Sequence, residues 1–297
     1  MSRSSGVRSL LSASLSKLRN HSDTIPITGK RTATVIAVSA QKGGVGKTTT
    51  VVNLGCALAE TPDTRVLIID IDAQGHVASS LRDNLRPGRT SLSEILLEER
   101  RDVMDAVVDT GIENLHMTTP DKGLAETESQ LSARVGREYI LKSAIANARS
   151  HFDVILIDCP PNLGNLTLNA LVAADMVLIP CDMSILAFEG VADLLATVQT
   201  VNLRLGQRLD VMGILATRVD GRTRQINDVI GDALKDNYGE LLLETQIPIN
   251  SALAKAQAAG LSIFQFQNRS RGAEAYRALA SEVVNRLDMS IQPSASL

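Results

Sequence analysis

The chain has 297 residues, 44% hydrophobic and 21% charged, which is ordinary globular composition and enough length for one large domain or two small ones. A net charge of −3 excludes a grip on nucleic acid through the field of the whole molecule, so any such contact needs a local basic patch. The three cysteines Cys56, Cys159 and Cys181 form no C-x-x-C pair and the four histidines show no metal-ligand spacing, which points to reduced thiols in a cytoplasmic protein.

Residues 1–31 are rich in Ser, Arg and Lys with one acid, Asp23, and read as a basic flexible tail that cannot bury enough apolar surface to fold alone. Its start is too Ser-broken for a signal peptide, and no apolar run in the chain approaches the roughly 18 residues of a membrane span. Leu11, Leu15 and Leu18 have helical spacing, but so short a helix is costly to nucleate. From residue 32 short β-branched runs alternate with amphipathic stretches. Strands are expected at 32–40, 65–72, 114–120, 152–160, 176–182, 211–219 and 241–249, with helices at 47–60, 136–149, 189–204 and 222–237 among others. Aromatics make up only 2%, so the core is aliphatic, as between helices and a buried parallel sheet. The repeated β-α-β pattern predicts an α/β fold: a doubly wound, mainly parallel sheet with helices on both faces. One domain over 32–290 and a flexible end at 291–297 complete the expected organisation, and EERRD (98–102) reads as a solvated helix end.

In such a sheet ligands bind at the carboxyl ends of the strands. QKGGVGKTTT (41–50), between the first strand and the first helix, nearly matches the phosphate-loop pattern G-x-x-x-x-G-K-[ST]. It departs at Gln41 and carries an extra Lys42. Gly43, Gly44 and Gly46, with Val45 between them, let backbone N–H groups approach phosphate oxygens at a helix N-terminus. Lys47 is then placed for the β- and γ-phosphates and Thr48 for Mg²⁺, with Thr49 completing the phosphate-binding run. The second strand ends in Asp70-Ile71-Asp72, whose two carboxylates share a face. Another strand, FDVILIDCPP, ends in Asp158. Buried strand-end acids are expensive to desolvate unless a cation such as Mg²⁺ meets them.

QKGGVGKTTTVVNLG, VLIIDIDAQGHVASSL, FDVILIDCPPNLGNLTLNAL, GILATRVDGRT and SRGAEAY resemble, in consistent order over about residues 33–287, the ParA/MinD family of deviant Walker ATPases, most closely its ParA (Soj-like) branch. The resemblance implies a slow ATPase using ATP and Mg²⁺. It makes Lys42 a signature lysine reaching across an ATP sandwich dimer to the other subunit's phosphates, catalytic together with Lys47 and Asp72. Asp72 matches the acid that positions or activates the attacking water, and Thr48, Asp70 and Asp158 match the Mg²⁺ surroundings. The usual D-x-D-P-Q-G-N is altered at Ala73 and His76, and Asn162 replaces a common Ser.

Family members that ride on the nucleoid bind DNA without sequence preference through basic residues gathered by the dimer. Here Arg222 matches one such arginine, with Arg218 and Arg224 close by; a second falls at about Ala252, for which Lys255 is the nearest substitute, and Arg269 and Arg271 are further candidates. The resemblance further implies a ParB-like or other cargo adaptor that stimulates hydrolysis. The end RLDMSIQPSASL lacks the basic amphipathic helix of membrane-bound relatives, so no membrane partner is expected. Cys159 reads as packing rather than as a cluster ligand. The tail is too short for an operator-binding domain. The expectation is a cytoplasmic, nucleoid-associated homodimer that segregates chromosome or plasmid DNA or positions a protein cargo; the alternative is an ATP-dependent protein-interaction switch with little hydrolysis and no DNA binding.

Overall fold

A computed structural model describes residues 29–82, 90–98, 102–220 and 224–291. Eight strands form one sheet: β1 (Thr34–Val38), β2 (Val66–Asp70), β3 (Val107–Asp109), β4 (Leu115–Thr118), β5 (Val154–Asp158), β6 (Met176–Asp182), β7 (Asp210–Val219) and β8 (Leu242–Pro248). Their spatial order is β3-β4-β2-β5-β1-β6-β7-β8, every pair parallel except β3 with β4. β1 lies between β5 and β6, so the chain winds outward from it in both directions and leaves a crevice above its carboxyl end.

The seven anticipated strands are all present, with ends that differ by up to two residues. The eighth, β3, is three residues long and offers no periodicity to detect. The helices are α1 (Lys47–Ala59), α2 (His76–Ser80), α3 (Leu92–Leu97), α4 (Leu124–Leu131), α5 (Ile140–Ala144), α6 (Asn165–Ala173), α7 (Ile185–Leu205), α8 (Arg224–Tyr238), α9 (Ser251–Ala259), α10 (Ile263–Gln267) and α11 (Arg271–Ile291).

Alternate residues of each central strand serve opposite layers, as strand geometry requires. Val35, Ala37, Leu67, Ile69, Ile155 and Ile157 face a core built with α3 to α7. Ile36, Val38, Ile68 and Leu156 face a second core with α1, α9 and α11, where Tyr276, Leu279 and Val283 are fully buried.

The helix expected over 136–149 is broken. Gly136 is left-handed (φ 70°), a 3₁₀ turn covers Arg137–Tyr139, α5 lasts five residues, and a second 3₁₀ turn follows at Ala148–Ser150. Ser150 Oγ competes with the helix locally, donating to the Asn147 carbonyl at 2.7 Å, while Asn147 Nδ2 is drawn to the distant Asp102 at 2.7 Å. Of the EERRD run, Glu98 caps α3 and residues 99–101 lie outside the described residues. At the other end of the tail, Gly29 to Arg31 already belong to the fold. Gly29 N donates to Ser150 Oγ at 2.9 Å, Arg31 N to the Ser150 carbonyl at 2.8 Å, and the Arg31 guanidinium pairs with Asp153. Among the described residues no helix is long and apolar enough to cross a membrane.

Candidate functional site

The crevice above β1 is filled by the glycine loop. Gly44 (φ 75°) and Gly46 (φ 95°) both sit in the left-handed region that strains any residue with a Cβ, and Gly46 forms the N-cap of α1. Val45 between them is buried and anchors the loop from below. Lys47 is also buried, and its ammonium bends back to donate to the Lys42 carbonyl at 3.1 Å. Burial lowers its pKa, against the pull of Asp158.

Asp70 and Asp158 are register partners at the carboxyl ends of β2 and β5. Thr48 Oγ1 donates to Asp158 Oδ2 at 2.7 Å, and Asp158 Oδ1 is buried with no hydrogen-bond partner. Burial, reinforced by Asp70, pushes the Asp158 carboxyl well above the usual carboxylate range. Asp70 is pushed up to about 7 by burial, although its oxygens accept from the backbone N–H groups of Asp72 (3.0 Å) and Val77 (3.2 Å). Thr48 and the bare oxygen of Asp158 therefore suit a hard cation. Asp70 is engaged in shaping the turn that carries Asp72. Asp72 in turn accepts from Gln74 N at 3.0 Å and lines the cavity. Among the described residues no three His, Cys, Asp or Glu side chains could hold a metal by themselves. This donor-poor setting is how Mg²⁺ is ordinarily held, by one or two side chains plus substrate phosphates.

The loop opens into a cavity of about 650 Å³. Gly43, Gly44, Gly46, Lys47, Thr48 and Thr49 line one end, Asp72 and Gln74 one flank, and Pro248 to Ser251 with Leu253 the far wall. That far wall has no counterpart in the sequence reading. Its available signal is position, since IPIN ends β8 on the same carboxyl edge as the acids. A phosphate loop at one end and a mixed apolar and amide wall at the other fit the two ends of a nucleotide.

Lys42 turns away from the cavity. Its Nζ donates to Asp182 Oδ2 at 2.7 Å and to Ser184 Oγ at 3.0 Å, both at the end of β6. Burial pushes the Asp182 carboxyl up, yet the hydrogen bonds from Lys42 and Ser184 outweigh it and hold the group below the usual carboxylate range. Of the residues expected to contact DNA, Arg218 is the last residue but one of β7, with an exposed side chain and Nη1 donating to the Gly44 carbonyl at 3.1 Å. Lys255 is exposed on α9, Arg222 lies outside the described residues, and Arg224 opens α8, where only the backbone is described. Ala252, where a second arginine was sought, is buried at the start of α9. Cys56, Cys159 and Cys181 are all buried, their thiols pushed up by that burial, as packing residues would be.

A strand, a left-handed glycine loop and a helix, faced by strand-end acids, make up a P-loop nucleotide site. The chain belongs to the AAA domain family (AAA_31), whose model matches residues 33–211, and within it to the ParA/MinD-type P-loop ATPases. It is 41% identical over 249 residues to the sporulation initiation inhibitor protein Soj of Bacillus subtilis, covering 84% of this chain and 97% of that one. Identity to the chromosome partitioning protein ParA of Caulobacter vibrioides is 35% over 254 residues, covering 85% and 94%. Among solved structures, cobyrinic acid a,c-diamide synthase from Mycobacterium smegmatis, with bound ATP analog and magnesium, superposes with a TM-score of 0.72 at 36% identity, covering 87% and 97%. The apo McdA structure from Cyanothece shares the fold, with a TM-score of 0.76 at 22% identity, covering 85% and 99%.

Proposed function

We propose that this chain is a ParA-type ATPase. It binds ATP and Mg²⁺, forms a sandwich dimer with a second copy, and holds DNA without sequence preference in that state. It is released when a ParB-like or other cargo adaptor stimulates hydrolysis. Repeated binding and release in the cytoplasm, on the nucleoid, would segregate DNA or position a protein cargo. The single observation that carries this reading is the unpartnered, buried Oδ1 of Asp158 beside Thr48 at the mouth of the glycine loop. A buried carboxylate without partners is costly, and a magnesium-nucleotide removes that cost.

In this scheme Thr48 and Asp158, with Asp70 beside them, would hold Mg²⁺, which would supply neutralisation of phosphate charge. Lys47 leaves the Lys42 carbonyl for the phosphates. Asp72, on the turn set by Asp70, positions the attacking water. Lys42 leaves Asp182 and reaches the partner's phosphates, where an added cation counts most in phosphoryl transfer. Arg222, Arg224 and Lys255 supply phosphate contacts to DNA. Residues 1–28 and 292–297, which make up most of the tails expected at 1–31 and 291–297, lie outside the described residues.

The burial of Ala252 favours a second reading, because the surface has no arginine at that point. It is an ATP-dependent protein-interaction switch with little hydrolysis and no DNA binding. Light scattering and DNA retention of the full chain with Mg·ATP separate the two. ATP-dependent dimers that retain DNA, with affinity falling steeply as salt rises, support the first reading. Dimers that retain none select the switch, and monomers at every ATP concentration overturn both.

A further inference from the structure

Three residues other than glycine have positive φ among the described residues: Asp63 (61°), Asn114 (62°) and Arg218 (54°). Asp and Asn tolerate this region; an arginine adopts it only against steric cost. Arg218 also sits where the pairing of β7 with β8 shifts register, between Ala216 and Val219. Such irregularities re-aim a side chain beside a site. The re-aimed guanidinium donates to the Gly44 carbonyl at 3.1 Å, and the preceding residue, Thr217, donates from Oγ1 to the Val45 carbonyl at 2.7 Å. Two consecutive residues of β7 thus hold two consecutive carbonyls of the phosphate loop.

A trans peptide is planar, with its C=O and N–H pointing in opposite directions. Holding the Gly44 carbonyl towards β7 turns the Val45 N–H away from it, and holding the Val45 carbonyl does the same to the Gly46 N–H. Aligned N–H groups in a glycine loop of this kind are what bind phosphate oxygens. We infer that Thr217 and Arg218 form a clamp that sets the phosphate loop in its anion-accepting shape before nucleotide arrives. Arg218 is therefore a positioning residue of the nucleotide site rather than a DNA contact. The inference rests on the ATP reading above and adds two residues to that site. Strain at Arg218 is then the cost of keeping a loop ready to bind.

The test compares R218G, R218K and T217V in the full chain. R218G removes the guanidinium at a position whose positive φ glycine adopts without strain, so a loss of affinity is not a backbone misfit. Calorimetric titration with Mg·ATP should show affinity about tenfold weaker for R218G and T217V, as expected from losing one hydrogen bond that matters only to binding, with part recovered in R218K. The melting temperature of nucleotide-free R218G should stay near that of the parent. The defect should appear in KM for ATP, and DNA retention at saturating ATP should match the parent, as it would not if a DNA contact had been lost. Unchanged ATP affinity in R218G, or weaker DNA retention at saturating ATP, overturns the clamp. Should T217V fail to fold, R218G decides alone, because its side chain is exposed. A parent chain that does not bind Mg·ATP would instead remove the nucleotide reading on which the clamp depends.

Discussion

The two flanks of the phosphate loop treat charge in opposite ways. On the β2 and β5 flank Asp70, Asp158 and Lys47 are buried, and their pKa values are driven towards neutral forms. On the β6 and β7 flank the charges stay within reach of water: the Lys42 and Asp182 side chains are 36% and 18% exposed. A partly exposed ion pair exchanges partners at lower cost than fully buried charges do. Buried charge is fixed and requires an incoming charge to satisfy it. In the proposed scheme the two flanks would take separate tasks, tight holding of a metal-nucleotide on one and reversible engagement of another subunit on the other.

The largest effect should come from the buried flank. Lys47→Ala is expected to weaken ATP binding by on the order of 100-fold or more, measured by titration, since it deletes a desolvated cation facing phosphate. Comparable losses from the exposed flank would erase the contrast. Next, Lys42→Ala should spare nucleotide affinity while ATP-dependent dimers, followed by light scattering, disappear. A normal dimer with normal turnover would show that Lys42 has no role across the interface. Third, Asp158→Asn should lose Mg²⁺-dependent nucleotide binding without lowering the melting temperature of the nucleotide-free chain, because the amide relieves a buried acid.

Acidity should separate the flanks more gently. Asp70 has a folded pKa of about 7, against roughly 3.9 in an unfolded chain. The folded state therefore keeps its proton longer, and the stabilisation, complete below the unfolded value, is lost as pH rises to about 7. Nucleotide-free stability should decline across that window, and Asp70→Asn should flatten the decline. The smallest change is expected from Asp182→Asn, a few-fold shift of the dimerisation midpoint to lower ATP as Lys42 loses its ionic partner.

Most of the fold was legible because each β-α-β unit announces itself locally. The apolar runs ending in Asp70 and Asp158 are buried strands that both stop at the crevice, and the glycines at 44 and 46 are where left-handed backbone requires them. What stayed hidden depends on contacts between distant segments. Lys42 and Asp182 are 140 residues apart, and Arg218 and Gly44 are 174 apart, so no spacing rule links them. Periodicity suggested a continuous helix at 136–149, and the local bond of Ser150 to the Asn147 carbonyl, with the long-range bond of Asn147 to Asp102, interrupts it. The far wall at Pro248 to Asn250 is built from residues with no chemical signature of their own.

Tyr276 lies wholly inside the second core, its hydroxyl 3.4 Å from Thr50 Oγ1 on the helix that opens the phosphate loop, and it also lines the cavity. The binding pocket accordingly draws its walls from residue 43 through residue 276. A growing polypeptide cannot complete that pocket until almost the whole domain has been synthesised. Nascent chains should therefore present an unfinished nucleotide pocket until residue 276 has been added.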